Sequence, residues 1–313
     1  QLRQGSSPGR RLGFFHCSRA AVGIPVISLL ISPLTYYVFM RRALVEPLAL
    51  GLSSGPVGVL LMLRCMSLVG DAMSHAVLPG AAIGFMIAGG LSLPAMGLGG
   101  LIAGLSVALL SGLVSRITSL REDASFASFY LTSLALGVMI VSLRGSNIDL
   151  LHVLFGTILA IDSQALFLVG GITSFTLLVL ALVYRPLIVE CIDPGFLRAV
   201  GGRGALYHFI FLLLVVLNLV AGFQTLGTLM AVGMMMLPAA SAQLLSKRLP
   251  SMLMIAAASA AISGYVGLLI SYYLSVASGP TIILVNSLIY VLALLFGPHG
   301  FIWRIVRPIS RTR

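Results

Sequence analysis

The sequence predicts an all-α, polytopic membrane protein, a bundle of nine or ten transmembrane helices. Three observations carry this. The composition is 59% hydrophobic and only 9% charged, against roughly 25% charged residues in a soluble domain. The apolar residues fall in repeated runs of about 20, the length a helix needs to cross some 30 Å of hydrocarbon. The basic residues gather between those runs and at the two ends of the chain, not along one helix face, which excludes a nucleic-acid-binding groove despite a formal charge of +11.

Taken in order, windows free of Asp, Glu, Lys and Arg cover 20–40, 43–63 (interrupted by Glu46), 65–90 (interrupted by Asp71), 94–115, 124–143, 165–184, 206–222, 226–246, 250–274 and 279–298. Residues 1–19 are basic and irregular and read as a disordered tail. The stretch that follows them is read as a first transmembrane helix, or else as upstream sequence outside the natural chain, and not as a cleaved signal, because no A-x-A-like site follows it and the next span starts almost at once. Residues 20–303 then form one transmembrane domain, and 304–313 a basic cytoplasmic tail.

Simple alternation of the spans puts Arg64, Arg116, Arg121, Arg185, Arg198, Arg203, Lys247, Arg248 and the carboxy-terminal arginines on one side. By the positive-inside bias that side is the cytoplasm. Arg41, Arg42 and Arg144 fall on the other. Cys17, Cys65 and Cys191 form no C-x-x-C pair or disulfide pattern. Glycines four apart, Gly51 with Gly55, Gly80 with Gly84 and Gly100 with Gly104, favour close helix packing, and Met234, Met235 and Met236 are expected to fill core space.

Two connections are longer than the usual 4–6 residues or so. The stretch 144–164 contains "LLHVLFGTILAI", too short to span, and is expected to lie at the outer interface, with His152 a possible entry contact for ions. The cytoplasmic stretch 184–205 contains Asp193-Pro194 ahead of "GFLRAV" and then Gly201-Gly202. Asp before Pro at the first helical position is a start signal and Gly a stop signal. A short surface helix with Phe196 and Leu197 to bury suits a docking element for another protein; a plain connecting loop is the alternative.

Of the eight acidic residues, Glu122, Asp123, Asp149, Asp162, Glu190 and Asp193 read as loop residues and Glu46 as near a helix end. Asp71 alone is expected at depth. It stands four residues before His75, on the same helix face. With a helix beginning at Cys65, a rise of about 1.5 Å per residue puts His75 near the bilayer centre. An intramembrane carboxylate costs at least about 2.5–3.5 kcal/mol and so faces a cavity, a partner or an ion path. Carboxylate oxygen with imidazole nitrogen suits first-row divalent ions, Zn2+ and Mn2+ among them. Two ligands leave the shell incomplete, which suits passage over storage. A packing hydrogen bond between Asp71 and His75 is the competing reading, and Pro79-Gly80 just beyond permits a kink.

These stretches, "LRCMSLVGDAMSHAVLPGAAIG", "REDASFASFYLTSLALGV", "LLHVLFGTILAID", "DPGFLRAVG", "GTLMAVGMMMLPAASAQLL" and "ASGPTIILVNSLIYVLALLFGP", resemble successive landmarks of the permease subunit of bacterial zinc and manganese ABC importers, from about Met40 to Trp303. The resemblance implies a multi-pass protein of the bacterial plasma membrane, embedded in lipid, working as a homodimer with a cytoplasmic ATP-binding subunit and an extracytoplasmic metal-binding protein. It implies no enzymatic activity and no permanently bound cofactor, with Zn2+ or Mn2+ as cargo; Asp with His is chemically permissive between the two, and zinc is the expectation taken here. It further implies that Asp71 and His75 lie on the metal path and that Asp193, Pro194, Phe196, Leu197, Arg198 and Gly201, within a segment of about 189–201, seat in a groove on the ATPase. Independently, the chain contains no G-x-x-x-x-G-K-[ST] phosphate loop. An ATP-independent secondary transporter or channel is the alternative, opposed by the expectation of a single deep carboxylate.

Overall fold

The computed structural model describes residues 38–88, 92–118, 122–143, 163–199 and 201–298. The expected first span, the external stretch with His152 and both terminal tails lie outside them. Ten α-helices follow one another: α1 (Val38–Leu63), α2 (Ser67–Ala88), α3 (Leu93–Ile117), α4 (Glu122–Leu143), α5 (Ser163–Ile192), α6 (Pro194–Ala199), α7 (Gly204–Leu226), α8 (Thr228–Leu245), α9 (Leu249–Leu274) and α10 (Ser278–Phe296). Nine of these, all but α6, are long and apolar enough to cross a membrane.

The arrangement has a centre and two flanks. Helix α7 packs against α1, α2, α3, α5 and α8. One flank is α2 with α3 and α4; the other is α8 with α9 and α10, with α1 laid against α8 and α9. Met73, Val77 and Phe126 of the first flank interlock with Phe211 and Val216 of α7. Leu50, Met230, Met234, Ala260 and Ile282 do so in the second. Lipid is as apolar as these side chains, so association here depends on close packing and on polar contacts between helices.

Small residues provide the close packing. A Cβ on Gly80 of α2 would strike the carbonyl oxygen of Gly99 of α3, one on Gly84 that of Ala95, and one on Gly58 of α1 that of Met235 of α8. On the other flank Gly51 packs against the Ala260 methyl and Gly55 against the Ala256 backbone of α9.

Asn218 of α7 provides the polar contact. Fully buried, it accepts a hydrogen bond from the Ser53 hydroxyl of α1 at 2.6 Å and donates to Thr176 of α5 at 3.0 Å. Three helices are thereby joined at one amide.

Two boundaries differ from expectation for physical reasons. Helix α2 begins at Ser67, not Cys65, because α1 ends in a left-handed cap: Cys65 has φ of 57°, and Cys65 N–H donates to Met62 O while Met66 N–H donates to Leu61 O, the paired bonds of a Schellman motif. Helix α5 does not stop near residue 184 but runs on to Ile192, 30 residues in all, roughly 45 Å at the usual rise. Leu187 and Cys191 are buried one turn apart and hold that extension on the bundle, offsetting the one hydrogen bond that Pro186 removes.

Candidate functional site

Asp71 and His75 lie on the same face of α2, in its second and third turns. With the helix starting at Ser67, they stand about 6 and 12 Å along an axis of about 33 Å, which puts Asp71 nearer the end that carries Arg64 and His75 nearer the centre. His75 Nε2 is 3.8 Å from Asp71 Oδ1. That exceeds hydrogen-bond range, so the packing hydrogen bond considered above is not made. The imidazole ring lies alongside Tyr130 of α4, centroids 6.3 Å apart and planes 28° apart, and its Nδ1 is buried with no hydrogen-bond partner.

Two ligands at about 2 Å from one ion in tetrahedral geometry are about 3.3 Å apart. A closure of roughly half an ångström, within rotamer freedom, therefore brings both donors onto one cation. Ser74 Oγ donates to the Asp71 backbone carbonyl at 2.7 Å and leaves the carboxylate uncommitted. Among the described residues no group of three or more His, Cys, Asp or Glu side chains converges on a metal position.

Position along the spans corrects one expectation. Asp71 is not the only carboxylate within a candidate span, since Glu46 falls in Met40–Leu63 and Glu190 in Gln164–Ile192; the Asp71 side chain is 63% exposed, and that of His75 32%. Glu46 is fully buried in α1 and Glu190, read from the sequence as a loop residue, is buried in the last turn of α5. The Glu190 carboxylate lies 3.7 Å from Arg64. The signal for Glu190 was available in the spacing of Leu187 and Cys191 around it, but a charge-free window cannot extend across Arg185. Glu46 was missed because α1 starts at Val38, a full turn before the charge-free window opens.

The expected surface helix is α6. Pro194 is its first residue, and Asp193 Oδ1 accepts a hydrogen bond from Phe196 N–H at 2.9 Å, capping the helix. Gly201, with φ of 77°, allows Gly202 N–H to reach Leu197 O at 2.8 Å, again a Schellman closure. Leu197 is half-buried under Gly202. Phe196 is 59% exposed and so is presented outward instead of buried in its own chain; Arg198 falls on the same short helix. Met234 and Met235 are fully buried packing residues, as expected from their spacing.

Comparison with known proteins adds three findings. The model of the ABC 3 transport family matches residues 36–297. The chain is 38% identical over 263 residues to the manganese transport system membrane protein MntC of Halalkalibacterium halodurans, covering 84% of this chain and 88% of that one, and 33% identical over 273 residues to the manganese import system permease protein ScaB of Streptococcus parasanguinis, covering 87% and 96%. Among solved structures, PsaBC from Streptococcus pneumoniae in complex with Fab superposes with a TM-score of 0.78 at 30% identity, covering 90% of this chain and all of that chain.

Proposed function

The chain belongs to the ABC 3 transport family, and from that premise we propose that it is the membrane permease of an ATP-driven importer whose cargo is Mn2+. The observation that carries the reading is the Asp71 carboxylate, largely exposed on a transmembrane helix beside an imidazole whose Nε2 points at it. Facing lipid, such a group costs several kcal/mol; facing a water-filled path, it costs little and attracts cations.

Zinc was the cargo favoured by the sequence alone. The relatives named above are manganese proteins, and oxygen with nitrogen donors accommodates Mn2+ as readily as Zn2+. Manganese is accordingly the better assignment. By the affinity order of divalent ions, Zn2+ binds the same donors more tightly than Mn2+ and is expected to inhibit.

A second copy of the chain completes the site. Leu68, Asp71, His75, Leu78 and Ala82 follow one another at helical spacing along α2, exposed or half-buried throughout. Two such stripes face to face cover Asp71 and bring two carboxylates and two imidazoles to one axis. The cytoplasmic ATP-binding subunit docks on α6, and an extracytoplasmic metal-binding protein delivers the ion. The chain itself hydrolyses no ATP. That the buried Glu46 and Glu190 add carboxylates does not revive a secondary transporter, because family membership now carries the distinction.

The test is uptake of radiolabelled Mn2+ into vesicles holding the permease with or without its ATPase. Uptake that needs the ATPase and hydrolysable ATP supports the proposal. Uptake indifferent to either, or carried by Zn2+ in preference to Mn2+, overturns the corresponding part.

A further inference from the structure

We propose that the ion pair of Arg64 and Glu190 is the positioning link that carries movement of the α6 segment to the helix bearing Asp71 and His75; this rests on the docking reading of α6. The geometry is specific. Glu190 is the third residue before Asp193, at the end of the continuous helix α5 from which α6 hangs. Its carboxylate is buried and lies against the start of α7: a Cβ on Gly204 would stand 2.8 Å from Glu190 Oε2. A carboxylate at a helix amino terminus is favoured by the partial positive charge there. Glu190 thus sits where the two helices flanking α6 meet.

From the other side comes Arg64. It stands in the turn between α1 and α2, seven residues before Asp71, with only 11% of its side chain exposed. Its Nη2 is 3.7 Å from Glu190 Oε1, and its guanidinium lies 5.8 Å from the centre of the Phe211 ring of α7, within cation–π range. The turn that holds it is stiff, closed by the two cap hydrogen bonds of Cys65 and Met66. Pulling on Glu190 therefore acts on the first turn of α2, and α2 beyond that turn is one uninterrupted helix through both Asp71 and His75.

Helix α6 makes its contacts with α5 and α7, so a force applied to it reaches α2 through those helices. Coupling between sites requires an element with differential contacts in two states. A buried charge pair bridging three helices at their shared end is such an element, because separating it leaves two charges unpaired in a poorly hydrated place.

The experiment uses the whole transporter, permease with ATPase, in vesicles, and compares wild type with Glu190→Gln, Arg64→Gln and the exchanged pair Arg64→Glu with Glu190→Arg. Three quantities are read: co-purification of the ATPase, ATP hydrolysis, and Mn2+ uptake per ATP hydrolysed. The expected result is retained co-purification and hydrolysis in both single variants, with uptake per ATP reduced by about tenfold, a typical coupling magnitude, and substantial recovery in the exchanged pair. Uptake per ATP unchanged in Glu190→Gln overturns the proposal. So does a parallel fall of all three quantities without recovery in the exchanged pair, which marks a purely structural role. Failure of the docking reading looks different: Phe196→Asp then leaves the ATPase bound, and the proposed link from α6 falls with it even where the Glu190 variants lose uptake per ATP.

Discussion

Gly80 of α2 and Gly99 of α3 meet backbone to backbone: the Cβ that either lacks would strike the other's carbonyl oxygen. The contact stands five residues beyond His75 and fixes the height at which α2 rests on α3. Neither carbonyl is able to retreat, since each belongs to a helix ladder. Gly80→Val is expected to lower stability by about 1–3 kcal/mol, the usual cost of overpacking, read as a fall in the thermal midpoint of the detergent-purified protein. An unchanged midpoint would mean that the two helices separate without penalty.

Asp71→Asn and His75→Ala test the metal path. Each is expected to cut Mn2+ uptake by at least about tenfold, the scale seen when even a supporting group of a metal site is lost, while ATPase co-purification and the thermal midpoint stay as in wild type. Asp71 is exposed and makes no side-chain hydrogen bond among the described residues, so a large loss of stability is not expected from Asp71→Asn. Normal uptake in both variants would return the pair to the status of ordinary surface residues.

Phe196→Asp addresses docking. An exposed aromatic on a capped surface helix has the character of an interface anchor, worth at least about 2 kcal/mol when truncated. The ATPase should be lost on affinity purification of the permease, with the permease itself still folded. Co-purification at wild-type ratio would remove α6 from the interface.

Asn218→Ala deprives the Ser53 hydroxyl of its acceptor on α7 and Thr176 of its donor. Each buried group left unpaired costs about 1–3 kcal/mol, partly relieved where Ser53 keeps its bond to Leu50 O. The thermal midpoint should fall by more than it does for Asn218→Gln, which retains the amide. Equal falls in both would show that hydrogen bonding does not govern the position.

Hydropathy and charge placement were enough to find the nine spans among the described residues and the short helix with its Asp193 cap and Gly201 stop. These are local properties: the cost of moving a residue into lipid accumulates along the chain, and a cap involves residues three or four apart. The same locality explains the pairing of Asp71 with His75 on one helix face. What the sequence left undecided was depth and partnership. Whether Glu46, Glu190 or Asp71 is the sheltered carboxylate depends on where α1, α2 and α5 begin and end and on which helices pack beside them. The sheltering neighbours come from residues more than a hundred positions apart, as in the contacts of Arg64 with Glu190 and Ser53 with Asn218. Only the folded bundle brings such residues within reach, because a side chain's solvent is chosen by its neighbours in space and not by its neighbours in the chain.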